Sequence, residues 1–275
     1  MPEGDTIFRA ARSLARALEG KEIVRWRSPL PALSGASLAG RRVVRVEARG
    51  KHLLMHFDDG RTLHSHMQMT GSWHIYRPGE RWRKLERQAR AVLETADFVA
   101  VCFNAPVMEL LSPGGVERHR GLPRLGPDIL APGFDLGAAR TRLRAIPDAP
   151  LGEALLAQTA LAGIGNIYKS EALFAARTSP FVVIGRMSDA EIDRVVSTAL
   201  RMMSANVAPG ATIRATREGA HGGPRYAVYR RSGLPCVSCG TRILMRRQGL
   251  SGRSTYWCPS CQPARGVAPP AEELK

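Results

Sequence analysis

The chain has 275 residues, enough for two domains, and sets forty Lys and Arg against 24 Asp and Glu, a formal charge of +16 with a pI of about 10.7. That balance is unsuited to a small-molecule enzyme without a polyanionic partner and points to nucleic acid; only five of the basic residues are lysines, and the planar fork of arginine suits bidentate phosphate contacts. No apolar run of eighteen residues and no charged-then-apolar leader occurs, so a soluble intracellular protein with no membrane partner is expected.

The chain opens Met1-Pro2-Glu3-Gly4-Asp5-Thr6. The small ring of Pro2 permits removal of the initiator methionine, which would expose a secondary α-amine. Such an amine is nearer neutrality (pKa about 8) than a lysine ammonium (about 10.4), and the neutral form can attack a carbonyl carbon. Glu3, next in line, can shuttle protons. A polar leader capping a helix reads the same way. Ile7, Ala10, Ala11, Leu14 and Leu18 then recur at helical spacing, with Gly20 just beyond.

From Glu22 to about Phe103 the pattern shortens to alternating runs, among them Val43 to Glu47, His52 to Phe57, Thr62 to His66 and Ser72 to Tyr76. Turn signals such as Asp58-Asp59-Gly60 separate them, and two antiparallel sheets packed as a sandwich are expected. Cys102, alone in an apolar run, reads as a core thiol. Arg77 to Arg90, with six basic and two acidic residues, reads as a solvated loop. Breakers accumulate around Arg124-Leu125-Gly126-Pro127-Asp128 and Pro132-Gly133, which places a domain boundary near residue 130.

Helical periodicity follows over Leu136 to Ile146, Leu151 to Leu161, Asn166 to Ala176 and Ser188 to Asn206, the last opened by a capping box of Ser188 and Glu191. Residues 211–253 hold nine arginines against one glutamate. The end of the chain, residues 265–275, is polar and proline-rich and expected to be disordered.

Cys236-x2-Cys239 and Cys258-x2-Cys261 have the spacing of a four-thiolate zinc site. A closed set of four ligands leaves no position for water, so the zinc is expected to be structural. Between the pairs, Arg242 to Arg246 and Ser254 to Trp257 read as strands, and zinc would staple a hairpin carrying Arg253 near its tip. Gly163-Ile164-Gly165-Asn166-Ile167-Tyr168-Lys169 is a glycine-rich corner able to offer a phosphate to a helix amino end, although a structural corner needs the same glycines. His64-x-His66 and His52-x3-His56 invite a metal, but no acidic third ligand is visible beside them and packed histidines are the better reading.

In order, Pro2-Glu3-Gly4, Gly50-Lys51-His52-Leu53-Leu54, Ser65-His66-Met67-Gln68-Met69-Thr70-Gly71, Arg124 to Asp128, Gly163 to Tyr168 and Gly252-Arg253-Ser254-Thr255-Tyr256-Trp257-Cys258-Pro259 resemble the formamidopyrimidine-DNA glycosylase/endonuclease VIII family. The resemblance implies an α+β protein: an amino-terminal antiparallel β-sandwich with a leading helix (1–130), a helical helix-two-turns-helix domain (131–222) and a zinc-stapled β-hairpin (223–264). It implies a bifunctional glycosylase and abasic-site lyase acting as a monomer on damaged double-stranded DNA, cytoplasmic and nucleoid-associated. Pro2 would be the nucleophile, Glu3 the proton donor, Lys51 the residue assisting β-elimination and Arg253 the finger arginine. Gln68, Met69, Arg124, Asn166 and Lys169 would contact DNA, with Met69 as an apolar wedge. The opening leans toward the endonuclease VIII branch and oxidised pyrimidines, whereas the Met69-Thr70-Gly71 turn suits the purine branch as well. Thr6 departs from the pattern, because the family carries a glutamate there.

Overall fold

The structure, a computed structural model, describes residues 2–33, 35–211, 213–217 and 223–264. The chain forms two compact units, Met1–Arg124 and Leu125–Lys275.

In the first unit helix α1 (Gly4–Leu18) precedes β1 (Arg25–Arg27), β2 (Val43–Arg49), β3 (His52–Phe57), β4 (Thr62–His66), β5 (Ser72–Tyr76), β6 (Ala89–Glu94), β7 (Val99–Phe103), β8 (Val107–Leu111) and α2 (Gly115–Arg118). The strands build two four-stranded antiparallel sheets, ordered β1-β6-β7-β5 and β2-β3-β4-β8. Alternation decides what each strand buries: Leu53, Met55 and Phe57 of β3 and Leu63 of β4 share one core with Ala91 and Leu93 of β6 and Ala100 and Cys102 of β7. Ile7, Ala11, Leu14 and Leu18 add one face of α1 to that core, each leucine or isoleucine contributing about 1.5–3 kcal/mol. Burial pushes the Cys102 thiol up, as suits an inert packing residue.

Two turns in this unit present expected site residues. Arg49 pairs with His52, so β2 and β3 are joined by Gly50-Lys51 alone. Gly50 has φ +59° while Lys51 lies outside the left-handed region, the pattern of a type II′ hairpin turn. The second turn, Met67 to Gly71, is closed by the Gly71 N–H donating to Met67 O at 2.8 Å. A Cβ on Gly71 would lie 2.7 Å from both Cα and O of Met67 and 3.1 Å from Cα of Ala105, all backbone atoms that cannot swing aside. Gly71→Ala is therefore expected to cost about 1–3 kcal/mol, read as a lower denaturation midpoint with an unchanged slope.

The Arg77–Arg90 stretch is largely exposed, as its charge suggests, but is pinned at one point. Trp82 stacks on Tyr76 and meets Phe103 edge-on, while the Arg27 guanidinium sits 5.5 Å from its ring centre.

The second unit contains α3 (Leu136–Arg144), α4 (Leu151–Ala154), α5 (Asn166–Ala175), α6 (Asp189–Val207) and the hairpin strands β9 (Leu244–Gln248) and β10 (Arg253–Trp257). Ser188 Oγ accepts from the Glu191 N–H while the Glu191 carboxylate accepts from the Ser188 N–H, the capping box expected at α6. The helix expected over Leu151 to Leu161 stops at Ala154. Beyond it Gln158 donates to the carbonyls of Leu156 and Ile164 and accepts from the Gly163 N–H, tying the chain into consecutive turns whose apolar residues are buried without helical order. Gly126 belongs to the same knot: its Cβ would fall 2.5 Å from the Ala160 carbonyl, so only glycine lets the two backbones meet. Residues 265–275, where disorder was expected, lie outside the described residues.

Candidate active site and zinc hairpin

Pro2 is half-buried and leads into Glu3, the fully buried N-cap residue of α1, whose carbonyl accepts from the N–H groups of Thr6 and Ile7. The Asp5 carboxylate is also fully buried; Thr6 Oγ1 donates to it at 3.3 Å and the Arg9 guanidinium stands 3.7 Å away. Acidic groups here lie where the helix dipole favours negative charge. Lys51 is half-buried in its hairpin turn. On the Met67 turn, Met67 is core, whereas Gln68, at φ +44°, and Met69 project, Met69 being 61% exposed. Thr70 Oγ1 anchors that turn by donating to Asn104 O. Arg124 is exposed at the end of a single 3-10 turn, Leu122–Arg124.

Histidines gather on the β2-β3-β4-β8 sheet, and an acidic partner that the sequence did not disclose joins them. Glu109 of β8 pairs in register with His64 of β4. Its Oε2 lies 3.0 Å from His64 Nδ1 and 3.2 Å from His119 Nε2, while His64 Nε2 lies 2.8 Å from His52 Nδ1. His64, Glu109 and His119 are spaced like metal ligands. His119 Nδ1, however, accepts from the N–H groups of Gly121 and Leu122, so the ring proton sits on Nε2, the atom a metal would need bare. The cluster is a hydrogen-bonded chain.

In the hairpin, Sγ of Cys236 lies 3.9 Å from that of Cys261, and Sγ of Cys239 lies 3.5 Å from those of Cys258 and Cys261. These separations exclude disulfides and approach the edge of about 3.8 Å that a tetrahedron of 2.3 Å zinc–sulfur bonds requires. All four donors are thiols and fall within 4.8 Å of one another, so the set fits one zinc in a closed, structural site. Its surrounding core is small: Val228, Cys236, Ile243, Cys258 and Cys261, with Phe174 and Tyr256 packed alongside.

The first hairpin strand runs two residues later than Arg242 to Arg246, the second begins one residue before Ser254 and ends as expected at Trp257, and Arg253 opens β10 after a Gly249–Gly252 loop whose end glycines have φ +69° and +57°. Arg253 is exposed on the lining of a cavity of about 300 Å³ shared with Glu153, Leu156, Lys169 and Gln248. Asn166 Nδ2 donates to Ser254 O at 2.8 Å, and Thr255 Oγ1 links Lys169 Nζ to Gln248 Oε1. Gln248 Nε2 in turn donates to Pro180 O.

Three family models cover most of the chain: the formamidopyrimidine-DNA glycosylase N-terminal domain over residues 1–106, the formamidopyrimidine-DNA glycosylase H2TH domain over 125–218, and a zinc finger found in FPG and IleRS over 233–264. The chain belongs to the formamidopyrimidine-DNA glycosylase/endonuclease VIII family. Among its relatives are a probable endonuclease 8 2 of Streptomyces coelicolor, 42% identical over 98% of this chain and 96% of that protein, and the DNA-(apurinic or apyrimidinic site) lyase Nei2 of Mycolicibacterium smegmatis, 38% identical over 96% and 100%. A Lactococcus lactis formamidopyrimidine-DNA glycosylase solved with abasic-site DNA has the same fold, with a TM-score of 0.77 at 23% identity over 96% of this chain and all of that one.

Within the H2TH portion of this family member, two side chains do what sequence reasoning missed. Lys169, expected at DNA, is fully buried and donates to Thr255 Oγ1 at 2.8 Å and Ser254 O at 3.3 Å, so its ammonium fastens the finger to α5. Glu171, also buried, accepts from the N–H groups of Ala227, Val228 and Tyr229 and from Thr216 Oγ1, and so fixes the strand of chain that enters the finger. Both sit in the helical stretch after Asn166, where an apolar periodicity with two charges on its buried side was the available signal.

Proposed function

We propose that this chain, a bifunctional DNA glycosylase and abasic-site lyase of base excision repair, acts as a monomer on double-stranded DNA and favours oxidised pyrimidines. The observation that carries the reading is Pro2 followed directly by a fully buried Glu3 at the head of α1, inside the matched glycosylase domain. With the initiator methionine gone, the Pro2 amine attacks C1′ of the damaged nucleotide while Glu3 delivers a proton, and the base departs with the electron pair of its glycosidic bond. The attached nitrogen then loses its proton, its lone pair forms the C1′=N bond as the C1′–O4′ bond breaks, and O4′ takes up a proton, so that an iminium joins Pro2 to the opened sugar.

A base then removes a proton from C2′, and that C–H pair becomes the enamine double bond. The enamine returns its electrons, C2′=C3′ forms, and the C3′–O bond breaks with its pair leaving on the phosphate. Lys51 assists this β-elimination and Arg253 the second, δ step. The nucleotide must leave the stack before any of this, and a damaged, poorly paired base lowers that cost. Exposed Met69 fills the gap, Gln68 reads beside it, and Arg124 and the amino end of α5 at Asn166 hold phosphates. The charge of +16 supplies the sequence-independent part of the affinity.

Support for the pyrimidine branch comes from relatives named endonuclease 8; the Met69-Thr70-Gly71 turn supports 8-oxoguanine and formamidopyrimidines as the second reading. Duplexes containing thymine glycol, dihydrouracil or 8-oxoguanine, offered to the full chain, are expected to be cut in that order of preference, with a borohydride-trapped adduct on an abasic-site strand. A clear preference for 8-oxoguanine opposite cytosine reverses the branch. Neither cutting nor adduct would leave a zinc-containing binding module.

A further inference from the structure

The face of the β2-β3-β4-β8 sheet turned away from the sandwich core carries an organised row of polar groups. Leu53, Met55 and Leu63 point into the core, so His52, His64, His66 and Glu109 occupy the opposite face, with His64 directly across from Glu109 and diagonal to His52. His64 is 1% exposed and the catalytic reading gives it no task.

Every proton in this row has an assignable place. Burial above all, with the Lys51 charge adding to it, holds His52 down at about pKa 3, and burial likewise depresses His64, so both rings are neutral. Burial pushes the Glu109 carboxyl up, but hydrogen bonds from His64 and His119 outweigh it and keep the group ionised. An ionised carboxylate only accepts, so His64 Nδ1–H donates to Glu109, as does His119 Nε2–H. His64 Nε2 is then bare and accepts from His52 Nδ1–H. The chain ends in one place, His52 Nε2, a nitrogen with a free lone pair on the residue that follows Lys51. Burial, and after it the same Lys51 charge, also depresses His66, whose ring packs edge-on against His52 with centroids 4.7 Å apart.

We propose that Glu109, His64 and His52 form a positioning relay that holds the His52 ring, Nε2 outward as an acceptor, against the Gly50-Lys51 turn, and thereby orients Lys51 for the lyase step. The inference rests on the reading of Lys51 as the β-elimination residue. The relay acts through Lys51 and does not touch the iminium at Pro2. Iminium formation and β-elimination therefore separate: cutting the relay leaves the first and slows the second.

The test uses full-length protein and a duplex with a pre-formed abasic site, which bypasses base removal. His64→Phe keeps the ring volume and removes both hydrogen bonds; Glu109→Gln, at a half-exposed position, keeps an acceptor and removes the charge. Both variants are expected to give the borohydride adduct at the unaltered rate while strand cleavage slows, by about tenfold for His64→Phe and less for Glu109→Gln. Unchanged cleavage in both overturns the relay, and so does a parallel fall of adduct and cleavage, which is what a merely structural role produces. Nitrogen-15 NMR of labelled histidine supplies a readout independent of activity: protons on Nδ1 of His52 and His64 and on Nε2 of His119 are expected, and a proton on Nε2 of His52 would end the proposal. An unaltered protein that gives no adduct at all refutes the Pro2 mechanism instead, and the NMR pattern still decides whether the relay exists.

Discussion

Pro2→Gly is expected to slow formation of the covalent intermediate by about two orders of magnitude, about 2.7 kcal/mol of transition-state stabilisation, and protein that retains Met1 is expected to form none. The two variants fail for different reasons. A secondary amine condenses to an iminium that is permanently cationic, the electron sink that C2′ deprotonation needs. The primary amine of glycine gives a neutral imine that must first be protonated. Retained methionine turns the proline nitrogen into an amide, whose lone pair belongs to the peptide bond and attacks nothing. Glu3 remains fully buried at the start of α1 in either variant, because its carbonyl contacts to Thr6 and Ile7 do not involve residue 2. The measurement is the borohydride-trapped fraction against time on abasic-site DNA, with binding of the same duplex as a control. An adduct at the normal rate in Met1-retaining protein would move the nucleophile elsewhere, and the buried Lys169 is then a poor candidate because its ammonium is already held by Thr255 and Ser254.

What could be seen in the sequence divides along the distance between partners. The capping box of Ser188 and Glu191, the Asp58-Asp59-Gly60 turn between β3 and β4 and the paired cysteines are written within a few residues, and each appears where the pattern indicated. Strand alternation likewise gave the sandwich, because period two is a local property that burial alone enforces. Hidden partners are remote: His64 and Glu109 are 45 positions apart, Glu171 and Thr216 also 45, and Lys169 and Thr255 86. A lysine in a basic protein reads as a phosphate ligand until the threonine that receives it is known. The shortened helix at Leu151–Ala154 has a local origin instead, since Gln158 captures backbone groups of Leu156, Gly163 and Ile164 that helical periodicity alone would have assigned to a continuing helix.

Removal of zinc, by chelation or by Cys258→Ser, is expected to unfold the hairpin while the β-sandwich unit stays intact. The finger's own core holds five buried residues, two partly buried neighbours and one two-stranded ladder, too little apolar area to offset the entropy of ordering residues 233–262. Binding of zinc to such thiolate sets is worth about 10–16 kcal/mol, so the metal is the larger part of the finger's stability. Its loss propagates inward by defined routes. Thr255 and Ser254 leave Lys169 and Asn166, Gln248 leaves Pro180 O, and Gln262 leaves Thr178 O. Lys169 is then a buried ammonium that has lost Thr255 and Ser254, which costs more than those contacts were worth and loosens α5 as well. Hydrogen exchange should show protection lost across Leu244–Gln248, Arg253–Trp257 and the first turn of α5, and retained across His52–Phe57 and Thr62–His66. Metal analysis should give about one zinc per chain in the unaltered protein, and binding to abasic-site DNA should fall together with hairpin protection. Full activity from metal-free protein, or a hairpin still protected without metal, would show that the contacts from Lys169, Asn166 and Gln248 hold the finger by themselves.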